Sequence, residues 1–188
     1  MELHFECTDL SVWKETLSTY KSRMESLNKP NLISLDEFYS HELPFLLHQR
    51  NPNPFITTSE LSRLMQWKLT RGKWRPRLLD FVSSLDDSSV KSASQKAFHS
   101  LPDTSKAISE LTVLKGVGPA TASAVLAAYA PETAPFMSDE ELSAKGDSFT
   151  PSDVERALWS SAVGVKLESS QKVSDNKIKG SNKRKRKH

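Results

Sequence analysis

Two glycines flank a valine at Gly116-Val117-Gly118, between segments whose apolar residues follow helical spacing. Leu111 and Leu114 belong to the first apolar face, and Val125 and Leu126 belong to the second. Because glycine tolerates positive φ angles, this triplet permits a tighter turn than bulkier residues allow. The N–H groups of such a turn, with those at the start of the next helix, form an anion site. A DNA phosphate suits that site, and the contact is independent of base sequence.

This segment is the first candidate site for DNA. A plain helical turn that packs one hairpin and binds nothing is the alternative that a Gly-x-Gly triplet leaves open. The complete spaced pattern from residue 111 to residue 126 favours DNA contact over plain packing. The residues expected to contact DNA here are Lys115, Gly116, Val117, Gly118, Ala120 and Thr121.

The second candidate is the stretch from residue 63 to residue 77, which contains six Lys or Arg, no Asp or Glu, and two tryptophans. Cations interleaved with aromatic rings suit phosphate contact combined with stacking on bases. The alternative places Trp67 in the core and the cations on a solvated helix face, and for Trp67 this alternative is favoured. For Trp74 the sequence leaves both roles open. The residues expected to contact DNA are Lys68, Arg71, Lys73, Trp74 and Arg75.

The segment from Leu114 to Leu126 resembles the hairpin of the helix-hairpin-helix base-excision DNA glycosylases, and the likeness extends more loosely over residues 58–140. The resemblance implies an all-α domain that binds DNA without an organic cofactor, with room for a structural monovalent cation at the hairpin. Members that also cleave the sugar-phosphate chain have a Schiff-base lysine two residues after the second hairpin glycine. Ala120 occupies that position, so the resemblance implies a monofunctional glycosylase or a non-catalytic protein.

An aspartate follows the hairpin in that superfamily, and Asp139 falls at the corresponding position. The resemblance implies a carboxylate that activates water and stabilises the positive charge that develops on the sugar. The sequence Ser138-Asp139-Glu140-Glu141 is equally typical of a helix N-terminus, where acidic residues interact favourably with the helix dipole. Only residues 140–149 separate Asp139 from the last predicted helix, so the chain is similar to a shortened form of a eukaryotic glycosylase-like group.

The elements that must position these residues are helices, and no alternating strand pattern is found. Capping patterns predict helix starts at Ser34, which is followed by Glu37, and at Thr57, which is followed by Glu60. Pro76 and Pro151 suit the first turns of two further helices. Helices are also predicted over residues 12–24, 88–100, 103–114 and 120–129.

The predicted fold class is all-α, a helical bundle with a helix-hairpin-helix element and a disordered basic C-terminal tail. The predicted domains are an N-terminal helical segment over residues 1–54, a glycosylase-like domain over residues 55–165, and the tail over residues 166–188. The single Cys7 excludes an internal disulfide, and neither the cysteine nor the scattered histidines have the spacing of metal ligands. We therefore expect no metal site.

The net charge of +3 is unevenly distributed, because residues 172–188 contain eight Lys or Arg against one Asp175. Short dense basic runs are typical of nuclear-import signals and of electrostatic arms for nucleic acid, and a solubilising end is the alternative. Import is favoured, which predicts a nuclear protein. We expect DNA as partner, no membrane, and a monomer; the sequence identifies no protein partner. The import residues are Lys183, Arg184, Lys185, Arg186 and Lys187.

Three functional hypotheses follow. The first is a nuclear DNA-binding protein that contacts the duplex backbone without strong sequence preference, with a role in base-excision repair. The second is an active monofunctional glycosylase that uses Asp139. The third is a nuclear protein-interaction module without DNA contact, whose last helix binds a partner.

Overall fold

The computed structural model describes residues 3–4, 7–134, 136 and 150–184, with side chains described through residue 169 except that of Pro151. Over these residues the chain is all-helical and contains no strand, which confirms the predicted all-α class. The elements in chain order are α1 (Leu10–Ser18), α2 (Tyr20–Ser26), α3 (Leu32–Glu37), a π-helical turn (Phe38–Glu42), α4 (Leu43–Gln49), α5 (Thr58–Arg71), α6 (Pro76–Ser83), α7 (Asp87–Ser100), α8 (Thr104–Thr112), α9 (Pro119–Tyr129) and α10 (Pro151–Arg184).

The chain divides into two compact units. The larger unit spans Leu27–Glu155, and the smaller one combines Met1–Ser26 with Arg156–His188. The larger unit begins at Leu27 and therefore contains α3 and α4 together with α8 and α9.

Helix α9 lies at the centre of the larger unit. Every residue from Thr121 to Ala128 is buried, and α4, α5, α7 and α8 all pack against the helix. A helix that is apolar around its whole circumference is stable only when neighbours cover all its sides. Among the described residues, the largest fully buried side chains are Trp67, Phe38, Leu32, Leu43, Leu47, Ile56, Leu61, Leu64, Met65, Leu111, Leu126 and Val82.

Local capping explains where several helices begin. Thr57 and Glu60 form the predicted capping box, in which each side chain accepts a hydrogen bond from the other residue's N–H group. Pro76 begins α6 as predicted. Thr150 caps α10, since its Oγ1 accepts from the N–H of Asp153 at 3.2 Å.

Two predictions need correction, and a third is not confirmed. Helix α3 begins at Leu32, and Ser34 does not cap it, because its hydroxyl donates to the Asn31 carbonyl at 3.0 Å. The helix predicted over residues 12–24 is two helices with a junction at Thr19. The disorder predicted for residues 166–188 is not confirmed, since α10 continues to Arg184; the lysines and arginines of this segment are good helix formers.

The smaller unit is held by contacts between its two chain segments. The ring of Tyr20 meets Trp159 edge-on, with ring centroids 5.3 Å apart. The N–H of Leu3 donates to Ser161 Oγ at 2.7 Å. Trp159 is half-buried in this contact.

A buried ion pair joins α5 to the first turns of α10 within the larger unit. The guanidinium of Arg71 donates to both carboxylate oxygens of Glu155, at 2.6 and 2.8 Å, and the two side chains are 5% and 6% exposed. Removing one partner of such a pair leaves a buried charge without its counter-ion, whereas removing both partners is often nearly neutral.

We therefore expect Arg71→Met to lower the free energy of unfolding by about 3–5 kcal/mol, measured by urea denaturation. The double variant Arg71→Met/Glu155→Leu should regain much of that loss. Lys91→Met, which removes the exposed pair with Asp87, is the matched control and should cost less than about 1 kcal/mol. A double variant as unstable as the sum of the two single variants would contradict the argument.

Candidate nucleic-acid interface

Helices α8 and α9 are joined by residues 113–118, where the glycine triplet lies. Gly116 has φ +90°, a conformation that L side chains rarely adopt. A Cβ on this residue would lie 2.9 Å from the Cβ of Phe81 and 3.4 Å from the carbonyl oxygen of Leu78. The residue is therefore confined to glycine by two separate constraints, its own backbone angle and the closeness of α6.

Gly118 differs from Gly116 in both respects. Its backbone is extended, with φ −93° and ψ 175°, and a Cβ on it would meet no atom within 4 Å. It is the N-cap residue of α9, and it is exposed together with Pro119. Nothing inside the described protein requires a glycine at this position, so any requirement for one must come from a group that approaches from outside.

The amides of this turn are partly satisfied within the protein. The N–H of Val117 donates to Leu114 O at 3.0 Å, and the N–H of Thr121 donates to Gly118 O at 3.0 Å. The N–H groups of Gly116, Gly118 and Ala120 have no acceptor among the described residues. The amides of Gly118 and Ala120 lie at the positive end of the α9 dipole, and Gly118 is exposed while Gly116 and Ala120 are half-buried. The segment therefore offers hydrogen-bond donors to an external anion.

Helix α6 brings the two predicted sites together. The atoms nearest to a Cβ built on Gly116 belong to three residues of α6, namely Leu78, Phe81 and Val82. Residues 72–75, which lead into α6, and the first two residues of α6 are all exposed, and they include Lys73, Trp74, Arg75 and Arg77. The Lys115 ammonium lies 4.4 Å from the centroid of the Phe81 ring and is on the same side of the hairpin as α6. The glycine turn therefore packs against the helix into which the basic loop leads, although the two segments are far apart in sequence.

The role of α6 was missed by sequence reasoning. The apolar residues Leu78, Phe81 and Val82 follow the i, i+3, i+4 spacing of an amphipathic helix. That spacing predicts that α6 has a buried face, but it does not show that this face packs against the turn at Gly116.

Several residues predicted to contact DNA are not available to do so. Arg71 is 7% exposed and is bound to Glu155, which removes it from the interface. Val117 and Thr121 are 5% and 4% exposed, so their side chains belong to the core and do not reach a ligand. Lys68 is half-buried and interacts with another residue of the chain. Of the residues predicted from the sequence to contact DNA, the structure exposes Lys115, Gly118, Lys73, Trp74 and Arg75.

The two tryptophans of the basic stretch lie in different environments, one buried and one exposed. Trp67 is 2% exposed, stacks on Tyr39 with ring centroids 3.7 Å apart, and donates its Nε1–H to Asp36 at 2.8 Å. Trp74 is 53% exposed. Trp67 is therefore a core residue, and Trp74 is the tryptophan of this stretch that a ligand can reach.

Other predicted residues lie beyond what the structure describes. Asp139 falls outside the described residues, as do Lys185, Arg186 and Lys187. Lys183 and Arg184 belong to the last turn of α10, and their side chains are outside the described set. Across the described part of the chain, no group of three His, Cys, Asp or Glu side chains has the arrangement of a metal site.

Comparisons with protein-family models, with curated proteins and with solved structures give no match to this chain. The likeness to helix-hairpin-helix glycosylases accordingly depends on the residues quoted from the sequence. None of the described helices is both long and apolar enough to cross a lipid bilayer.

The contrast between the two glycines yields a stability prediction. Gly116→Ala should lower the free energy of unfolding by about 1–3 kcal/mol, because alanine at φ +90° is strained and its methyl group would meet Phe81. Gly118→Ala, the matched control, should change stability by less than about 1 kcal/mol, since its methyl group enters open space. Urea denaturation measures both values, and equal losses in the two variants would contradict this account of the turn.

Proposed function

We propose that this chain is a DNA-binding protein that contacts the duplex backbone through the hairpin segment, residues 113–120. The observation that carries the proposal is the set of amides at Gly116, Gly118 and Ala120, which find no acceptor among the described residues; the last two belong to the N-terminus of α9, where Gly118 is exposed. A phosphate oxygen is a suitable acceptor for such amides. Amide contacts to phosphates position a protein on DNA without distinguishing the bases.

The charges around the hairpin support the same ligand. Lys115, Lys73, Arg75 and Arg77 are exposed on or beside the segments that meet at Gly116. Asp80 is the exposed carboxylate on α6 in this neighbourhood, so basic groups outnumber acidic ones there. A surface of this kind attracts the DNA polyanion, and its affinity falls steeply as salt is added because counterions are released from the duplex.

The basic tail completes the proposal. Residues 166–188 include the run Lys183–Lys187, which we infer to be a nuclear-import signal, and this would bring a DNA-binding protein to its substrate. The protein acts as a monomer in this proposal, since one hairpin is enough to hold one stretch of duplex backbone.

The sharpest test is Gly118→Ser. Serine is a favoured N-cap residue and suits the extended backbone at this position, so the variant should be as stable as the wild type or more stable by up to about 1 kcal/mol. Its hydroxyl oxygen would accept a hydrogen bond from an amide of the first turn of α9 and occupy the space that a phosphate needs. We therefore expect duplex affinity to fall while stability is retained or gained, measured by fluorescence anisotropy and urea denaturation.

A salt titration provides an independent measurement. Lys115→Ala should reduce the slope of log affinity against log salt concentration by about one unit, because one phosphate contact is lost. Lys96→Ala is the matched control: Lys96 is an exposed lysine on α7, and its loss should leave the slope unchanged. If Gly118→Ser and Lys115→Ala both bind duplex as tightly as the wild type, the hairpin is only a packed turn and the proposal fails.

A further inference from the structure

A cavity of about 340 Å³ lies in the larger unit beside residues 72–75, the basic loop. Its lining includes Trp74 from this loop, Gln66 and Leu69 from α5, and Pro30 and Asn31 from the turn before α3. Ligand pockets span about 300–1,000 Å³, so this cavity has room for one large side chain or a fragment of similar size. Apolar walls with a few polar groups, as here, are typical of pockets that hold a ligand in one orientation.

Trp74 forms the aromatic wall of the cavity and is 53% exposed. Within the part of the chain that the structure describes, its ring stacks on no other ring and its indole N–H donates to no acceptor. Tryptophan is enriched among the residues that contribute most to protein–protein binding, because its ring is large and excludes water from a pocket. Trp74 therefore has the surroundings of a residue that packs against a partner.

The cations of the basic loop and of the start of α6 have no counter-ion among the described residues. Lys73, Arg75 and Arg77 are exposed and form no ion pair there, whereas Arg63 and Arg71 of the same stretch are paired with glutamates. The described residues that line the cavity include no Asp or Glu. Charge complementarity therefore favours a ligand in which negative groups surround an apolar one.

Positive charge attracts any polyanion, but the backbone of the basic loop favours a peptide. Residues 73–75 belong to no helix, and their N–H groups donate to no described residue. The carbonyl oxygens of Lys73 and Trp74 likewise accept no hydrogen bond from the described residues. A peptide backbone provides both a donor and an acceptor for such a segment, whereas the phosphates of a DNA backbone only accept. Peptides that add to an exposed backbone segment in this way gain affinity from the main chain and specificity from side-chain pockets.

Lys29 fixes the basic loop to the opposite wall of the cavity. Its ammonium donates to the carbonyl oxygens of Thr70 and Gly72, which are the last groups of α5 and the first residue of the loop. These bonds satisfy carbonyl groups that a helix C-terminus leaves without partners. The cavity is consequently formed before any ligand arrives, and a preformed site loses less entropy on binding.

We propose that the cavity and the basic loop bind an acidic peptide segment of another protein. One apolar side chain of that segment enters the cavity against Trp74, its carboxylates face Lys73 and Arg75, and its backbone pairs with residues 73–75. This interaction goes beyond DNA binding and does not involve the hairpin, because none of residues 113–120 lines the cavity.

The test uses fluorescein-labelled ten-residue peptides of aspartate and glutamate that carry one leucine, phenylalanine or alanine at the centre. Their affinity for the full chain is measured by fluorescence anisotropy. The leucine or the phenylalanine peptide should bind about 5- to 30-fold more tightly than the alanine peptide, the range expected for one side chain that fills a pocket. Trp74→Ala should remove this difference and Trp74→Phe should keep part of it, since phenylalanine retains a ring.

A charge reversal tests the acidic character of the ligand. Lys73→Glu/Arg75→Glu should weaken binding of the preferred peptide at least about fivefold at low salt. The same variant should bind a peptide with lysines in place of the acidic residues more tightly than the wild type does. Lys96→Glu/Lys106→Glu is the matched control, since it makes the same change of net charge at exposed lysines of α7 and α8 and should leave peptide affinity unchanged.

The outcomes separate this inference from the proposed function. Gly118→Ser should bind the peptides as the wild type does, so loss of duplex binding and loss of peptide binding are distinct results. Equal affinity for the leucine, phenylalanine and alanine peptides overturns the inference, because the cavity then accepts no side chain. Binding of all three peptides weaker than about 1 mM overturns it as well. If Trp74→Ala weakens duplex binding and leaves peptide binding intact, the cavity serves nucleic acid and the inference fails.

Discussion

The contact between Gly116 and α6 is the constraint on which the proposed interface depends. The backbone at Gly116 approaches α6 so closely that a Cβ would lie 2.9 Å from that of Phe81, and its positive φ angle reverses the chain between α8 and α9. This approach determines where the turn lies relative to α6, into which the exposed residues 73–75 lead directly. The turn that carries the unsatisfied amides is thereby packed against the helix whose N-terminal side carries exposed cations.

Helix α9 is buried along its sides, and the turn that precedes it lies at the surface. All residues from Thr121 to Ala128 are buried, so the sides of this helix are unavailable to any ligand. Its N-terminus is the part that reaches the surface, through the exposed residues Gly118 and Pro119. A central helix held on all sides by packing also provides a rigid support, and the partial positive charge at its exposed end is consequently held in one place.

Local patterns predicted the parts of this fold that depend on local physics. The capping box of Thr57 and Glu60 and the start of α6 at Pro76 involve residues within one helical turn, and the structure has both. Ser34 and Glu37 match the same capping pattern, yet α3 begins two residues earlier, where Asn31 at φ 62° redirects the chain. The pattern fails there because the preceding turn, which it does not include, decides the helix start.

The basic stretch shows where sequence reasoning about a site reaches its limit. Its six cations look equivalent in sequence, but Arg63 donates to Glu42 and Arg71 donates to Glu155, partners that lie 21 and 84 residues away. Such partners can be identified only after the chain has folded, because no local spacing connects them. Gly72 ends α5 and separates these paired arginines from the exposed Lys73, Arg75 and Arg77. The same residue types therefore stabilise the protein before this glycine and remain available to a polyanion after it. What distinguishes them is the position of two distant glutamates and not the density of positive charge along the chain.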